Sequence, residues 1–121
     1  MSDTTQSKSA NHNLQLEQYL EFTNTTAIYP EAGTGSDLEL HYLALGLTSE
    51  AGEVAGKVKK LIRDGHYDPA GIIKEVGDVF WYAVRLCDAV GYSPSDALTI
   101  NVSKLSKRKV NDTISGSGDE R

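Results

Sequence analysis

Between Asp37 and Arg63, apolar residues recur at helical spacing: Leu40, Leu43, Leu47, Val54, Val58 and Leu61. A stripe of that period over so long a stretch predicts one long amphipathic helix. The stripe is broken once. The residue in its phase at the break is Glu50, three after Leu47 and four before Val54. A carboxylate on the core side of an apolar seam is costly unless it is paired or holds a cation. Any fold of this chain has to bury that face and still satisfy that charge.

Glu50 has a companion at i+3, Glu53, and a second acidic pair follows at Glu75 and Asp78. Residues three apart share a helix face. The segment between the pairs holds the rest of one helix, the turn Asp64-Gly65-His66-Tyr67-Asp68 and the start of a second helix with Pro69 at its first position. That next helix is predicted from Pro69 to Val90, with Ile72, Val76, Val79, Ala83, Leu86 and Val90 as its core side and Gly91 as its stop. Folded back as a hairpin, the two helices bring the pairs together. Glu53 stands about ten residues before the turn and Asp78 about nine after it, so at about 1.5 Å per residue they lie at nearly equal height. Four carboxylates in one place repel one another unless a cation neutralises them. Ligands that are all oxygen suit Mg²⁺ or Mn²⁺.

The remaining elements are shorter. A first helix is predicted from Asn13 to Thr23, then Tyr29-Pro30 and a glycine-bearing loop to Ser36 or Asp37 as N-cap. A fourth helix begins at Ser93-Pro94 and runs to Val110. The class is therefore all-α, a four-helix-bundle-like arrangement in one domain, residues 13–110. Residues 1–12 are expected to form a disordered N-terminal tail and residues 111–121 a flexible C-terminal one. So short a folded part has a modest core, which oligomerisation would supplement.

The net charge of −5 argues against a nucleic-acid partner, which needs a basic footprint. No apolar run approaches the ~20 residues that span a bilayer, and the N-terminus carries no apolar signal core. The expectation is a cytoplasmic protein without a membrane partner. The single cysteine, Cys87, lies in an apolar helix and reads as a core thiol. There is no Glu-x-x-His, P-loop, nucleophile elbow or zinc-spaced Cys/His set.

Other residues are weighed beside the carboxylates. Asn101, Lys104 and Arg108 fall on one face of the fourth helix and could meet phosphate or sugar, or simply complement the helix end. Lys57, Lys60 and Arg63 share a face of the second helix and could do the same or be solvated. Trp81 and Tyr82 follow the second acidic pair; each could stack on a nucleobase or belong to the core. Tyr29 and Tyr42 are weaker candidates. Gly46, Gly52, Gly56 and Gly77 sit inside predicted helices at about 1 kcal/mol each relative to Ala. Either close helix packing or the approach of a ligand would explain them.

Taken together, Tyr29-Pro30, the stretch Leu45 to Val54, Lys57 to Lys60 with Arg63-Asp64, Glu75 to Tyr82 and Asn101-x-x-Lys104-x-x-x-Arg108 resemble the MazG-like family of all-α nucleoside triphosphate pyrophosphohydrolases. The resemblance covers Tyr19 to Arg108, and the ending Ser115 to Arg121 is similar to short, often phage-borne members, which would work in a host cytoplasm. Val76 and Phe80 depart mildly from residues common in the family. The resemblance implies a homodimer or homotetramer. It also implies Mg²⁺ or Mn²⁺ on Glu50, Glu53, Glu75 and Asp78, two or more ions per site being one option, and conversion of a (d)NTP to (d)NMP and pyrophosphate. In that picture Glu53 and Glu50 are the catalytic carboxylates, with Glu53 taking the proton of the attacking water. Lys57, Asn101, Lys104 and Arg108 contact phosphate or sugar, and Trp81 and Tyr82 the base. The reading leans to dGTP or GTP, although no residue carries that lean. Two alternatives stay open: a non-catalytic helical nucleotide-binding or regulatory module, and a diphosphatase of the dUTP or dUDP type on the same carboxylates.

Overall fold

A computed structural model describes residues 14–121; the expected N-terminal tail, residues 1–12, and Asn13 lie outside the described residues. The fold is all-α, with four helices among the described residues in chain order: α1 (Leu16–Thr26), α2 (Asp37–Asp64), α3 (Pro69–Ala89) and α4 (Pro94–Val110).

Local chemistry sets each boundary. Ser36 caps α2, its hydroxyl accepting from the Glu39 N–H at 3.3 Å. Gly65, at φ 69°, closes α2 in the left-handed conformation and returns its N–H to the Leu61 carbonyl. The Asp68 carboxylate caps α3 through the Gly71 N–H at 3.0 Å, with Pro69 in the first turn. Ser93 and Asp96 form a reciprocal capping box on α4. The α1 helix reaches Thr26 rather than stopping at Thr23. The Thr25 and Thr26 hydroxyls bond back to the Phe22 and Thr23 carbonyls and so satisfy acceptors at the fraying end.

The α2–α3 hairpin is the frame, and among the described residues α2 packs on no other helix; α1 and α4 pack on α3 and on each other. The bundle is therefore open along α2. Leu43, Val84, Tyr29 and Pro94 are the buried apolar side chains among the described residues. Two of the expected core positions near the turn, Val58 and Leu61, are exposed, and so is Val90 at the far end of α3. The helical period places those side chains on the right face, but no element among the described residues covers them. Ile62 is 82% exposed and Leu45 72%.

The best-buried part of the molecule is polar. Glu39, at 0% exposure, accepts hydrogen bonds from the Tyr29 hydroxyl at 2.6 Å and from the Gly33 and Gly35 N–H groups at 2.7 and 2.8 Å. Gly33 and Gly35 have φ of 82° and 69°, a region glycine enters without strain, so the loop can turn both amides onto one carboxylate. Arg85 of α3, 2% exposed, donates to the Tyr29 and Thr23 hydroxyls at 3.4 Å each, and also to the Asn24 side chain. Through this network α1, the 27–36 loop, α2 and α3 are tied at one end of the hairpin.

Candidate metal centre

The hairpin brings Glu50 of α2 together with Glu75 and Asp78 of α3: one carboxylate oxygen from each lies within 4.8 Å of the others. Glu50 and Glu75 are half-buried and Asp78 is exposed. Burial pushes the Glu50 carboxyl above its usual range, and the charges of Asp78, Glu75 and, least, Glu53 push it further. No ion pair joins the three to a lysine or arginine among the described residues. Such a group of hard oxygen donors, half out of water and short of positive charge, could hold a metal cation. Glu53 is not in the group. It stands exposed one turn along α2, near enough for its charge to be felt at Glu50.

Aromatic side chains wall one side. Tyr82 packs over Gly46, where a Cβ would collide with the ring. Its phenol is pushed up to about 12, by burial first, then by the Tyr42 hydroxyl and by the charges of Glu50 and Asp78. Tyr19 of α1 is raised as well, by burial and then by Asp78. Two neutral phenols thus border the carboxylates. Behind Tyr82, Tyr29 stacks on Tyr42 at 4.8 Å, and Trp81 sets its edge against Tyr29 at 6.0 Å. The Trp81 indole N–H donates to the Thr26 hydroxyl at 2.8 Å. Trp81 and Tyr82 accordingly serve in the packing between α1, α2 and α3.

The basic candidates are not gathered at the carboxylates. Lys57 lies 3.5 Å from Asp68 at the hairpin turn. Lys104 meets Asp119 at 3.2 Å, and the buried Arg108 reaches the same carboxylate at 3.4 Å and the Gly118 and Asp119 carbonyls at 3.2 Å. Residues 111–121 therefore lie folded against α4, with Arg121 donating to the Thr113 carbonyl at 3.1 Å. Asn101 is exposed. Sequence reasoning passed over Glu39 and Arg85. The one available signal was an arginine inside the apolar run Tyr82 to Leu86. Glu39 carries no such mark, because an acidic residue in a first helical turn is ordinary.

The architecture is that of an all-α protein with an acidic cluster held across a helical hairpin. The chain belongs to the MazG nucleotide pyrophosphohydrolase domain family, whose model matches residues 39–111. That span contains Glu50, Glu53, Glu75, Asp78 and the basic residues of α4. The chain is also similar to the Gene 37 protein of Mycobacterium phage L5, 38% identical over 118 residues that cover 89% of this chain and 100% of the relative. No solved structure matches the chain. No helix among the described residues is long and apolar enough to cross a membrane.

Proposed function

We propose that this chain is a Mg²⁺- or Mn²⁺-dependent nucleoside triphosphate pyrophosphohydrolase, releasing (d)NMP and pyrophosphate. The observation that carries the reading is the convergence of Glu50, Glu75 and Asp78 within 4.8 Å across the hairpin, inside the span matched by the family. These three residues, with Glu53 on the open side, would hold the cation. Bound there, it would supply neutralisation of phosphate charge and acidification of water. Glu53, exposed and one turn from Glu50, would accept the proton of a water attacking the α-phosphorus. The bond to the bridging oxygen breaks, and pyrophosphate leaves with the electron pair. The neutral Tyr82 and Tyr19 hydroxyls can donate to a phosphate oxygen without adding negative charge. Lys57, Lys104 and Arg108 would meet the triphosphate, Lys57 first exchanging Asp68 for it and the other two Asp119. The exposed apolar faces along α2, with few buried apolar side chains among the described residues, support a homodimer or homotetramer as the working form.

A panel of NTPs and dNTPs, guanine nucleotides included, with Mg²⁺ or Mn²⁺ and product chromatography, tests the activity. Monophosphate and pyrophosphate, lost in Glu50→Gln and Glu53→Gln, is the expected result. Diphosphate and orthophosphate would move the point of attack. No turnover by a protein that binds Mn²⁺ would favour a binding module.

A further inference from the structure

A crevice of about 380 Å³ opens between the start of α1 and the middle of α3, lined by Leu14, Gln15, Leu16, Tyr19, Gly77 and Phe80. It is built onto the acidic cluster: Gly77 precedes Asp78 in the chain, and the Tyr19 phenol lies close enough to Asp78 to be raised by its charge. We propose that this crevice receives the nucleobase of the substrate. The inference deepens the reading of the acidic cluster as a triphosphate site and rests on it.

Three features point to a base. Among the described residues the lining has no lysine, arginine, aspartate or glutamate, so the charged part of a nucleotide gains nothing by entering and its flat, weakly polar part does. Tyr19, which stacks on Phe22 on one side, and Phe80 put two aromatic rings in the lining, on which a base can stack, and the Gln15 carboxamide, which both donates and accepts, can meet a base edge. The volume falls within the range of small-molecule sites. The floor is Gly77, where an added Cβ would meet nothing within 4 Å. Glycine in the interior of a helix is unfavourable, and no packing neighbour demands it at this position. Its missing side chain is what leaves the crevice open. Trp81 does not line the crevice.

The test compares full-length wild type with Gly77→Leu, which plugs the floor, and Gly77→Ala, which narrows it while favouring the helix. Three probes are titrated with thermal unfolding as the readout: Mn²⁺ alone, Mn²⁺ with inorganic tripolyphosphate, and Mn²⁺ with an α,β-methylene nucleoside triphosphate. Wild type is expected to bind the nucleotide analogue more tightly than tripolyphosphate. In Gly77→Leu the analogue should bind roughly tenfold to a hundredfold more weakly, the range for loss of base stacking. Its affinity should then match that of tripolyphosphate, with the Mn²⁺ response retained. Gly77→Ala should lie between the two and unfold at a higher temperature than wild type. If the analogue keeps its advantage in both variants, or has none in wild type, the base is bound elsewhere and the inference is overturned. A wild type that ignores Mn²⁺ overturns the cation site itself, a failure distinct from the first two.

Discussion

Replacing Glu39 by alanine should destabilise the protein by about 3–5 kcal/mol, the range for removing one partner from a buried charged network. Glu39 is fully buried and accepts three hydrogen bonds, from the Tyr29 hydroxyl and from the Gly33 and Gly35 amides. Hydrogen bonds to a charged group contribute roughly 1.5–3 kcal/mol each, but they do not add. The loop amides belong to exposed residues and regain water in the variant. The Tyr29 hydroxyl and Arg85 do not, because both side chains are buried. What is lost is therefore mainly the acceptor of the Tyr29 hydroxyl, with part of the negative charge that faces Arg85; that guanidinium keeps Asp88 at 3.7 Å. Glu39→Gln keeps an acceptor but turns an amide donor toward donors, and should lose about 1–3 kcal/mol. The assay is urea unfolding at one fixed protein concentration, so that any assembly affects all variants alike. Trp81, the chain's single tryptophan and edge-on to Tyr29, is the fluorescence reporter. A loss below about 1 kcal/mol for Glu39→Ala, with unchanged Trp81 emission, would refute the reasoning.

Other predictions follow from single contacts. Gly46→Ala should cost about 1–3 kcal/mol from collision with the Tyr82 ring, only partly offset by helix propensity, as thermal melting will show. Gly56→Ala meets nothing within 4 Å and should gain about 0.5–1 kcal/mol; a loss instead would reveal another copy seated on that face. Burial raises the Glu39 carboxyl, but the hydrogen bonds from Tyr29, Gly33 and Gly35 and the nearby Arg85 hold it, on balance, below its usual range. A group with a depressed folded pKa adds stability above its unfolded pKa and loses it as pH falls through the folded one. An acid titration of stability should therefore steepen below the ordinary carboxylate range, and Glu39→Gln should flatten that limb. Asp119→Asn should release residues 115–121 from α4, seen as faster amide exchange there with the helices unchanged.

Much of this molecule was legible because helical periodicity is a local property. The turn at Asp64 to Asp68, the caps at Ser36 and Ser93 and the stop at Gly91 each follow from one or two residues. Glu50 could be singled out because one charged residue in the phase of six apolar ones is visible without knowing what it faces. Its closeness to Glu75 and Asp78 then required only a hairpin of matched arms. Burial was harder to read. Val58 and Leu61 have the right phase, but exposure depends on which helix covers α2, and no periodicity encodes that. The Glu39–Tyr29–Arg85 network joins residues 56 apart in sequence at its widest hydrogen bond to Tyr29, so each member alone looks ordinary. Residues 111–121 are rich in glycine and serine, yet one carboxylate, Asp119, meets two cations of α4.

The most direct test of the account is hydrolysis of the best nucleoside triphosphate in ¹⁸O-labelled water with Mn²⁺, with the products resolved by mass spectrometry. Attack at the α-phosphorus predicts one heavy oxygen in the monophosphate and none in the pyrophosphate. Label in pyrophosphate or orthophosphate, or no turnover at all, would contradict it.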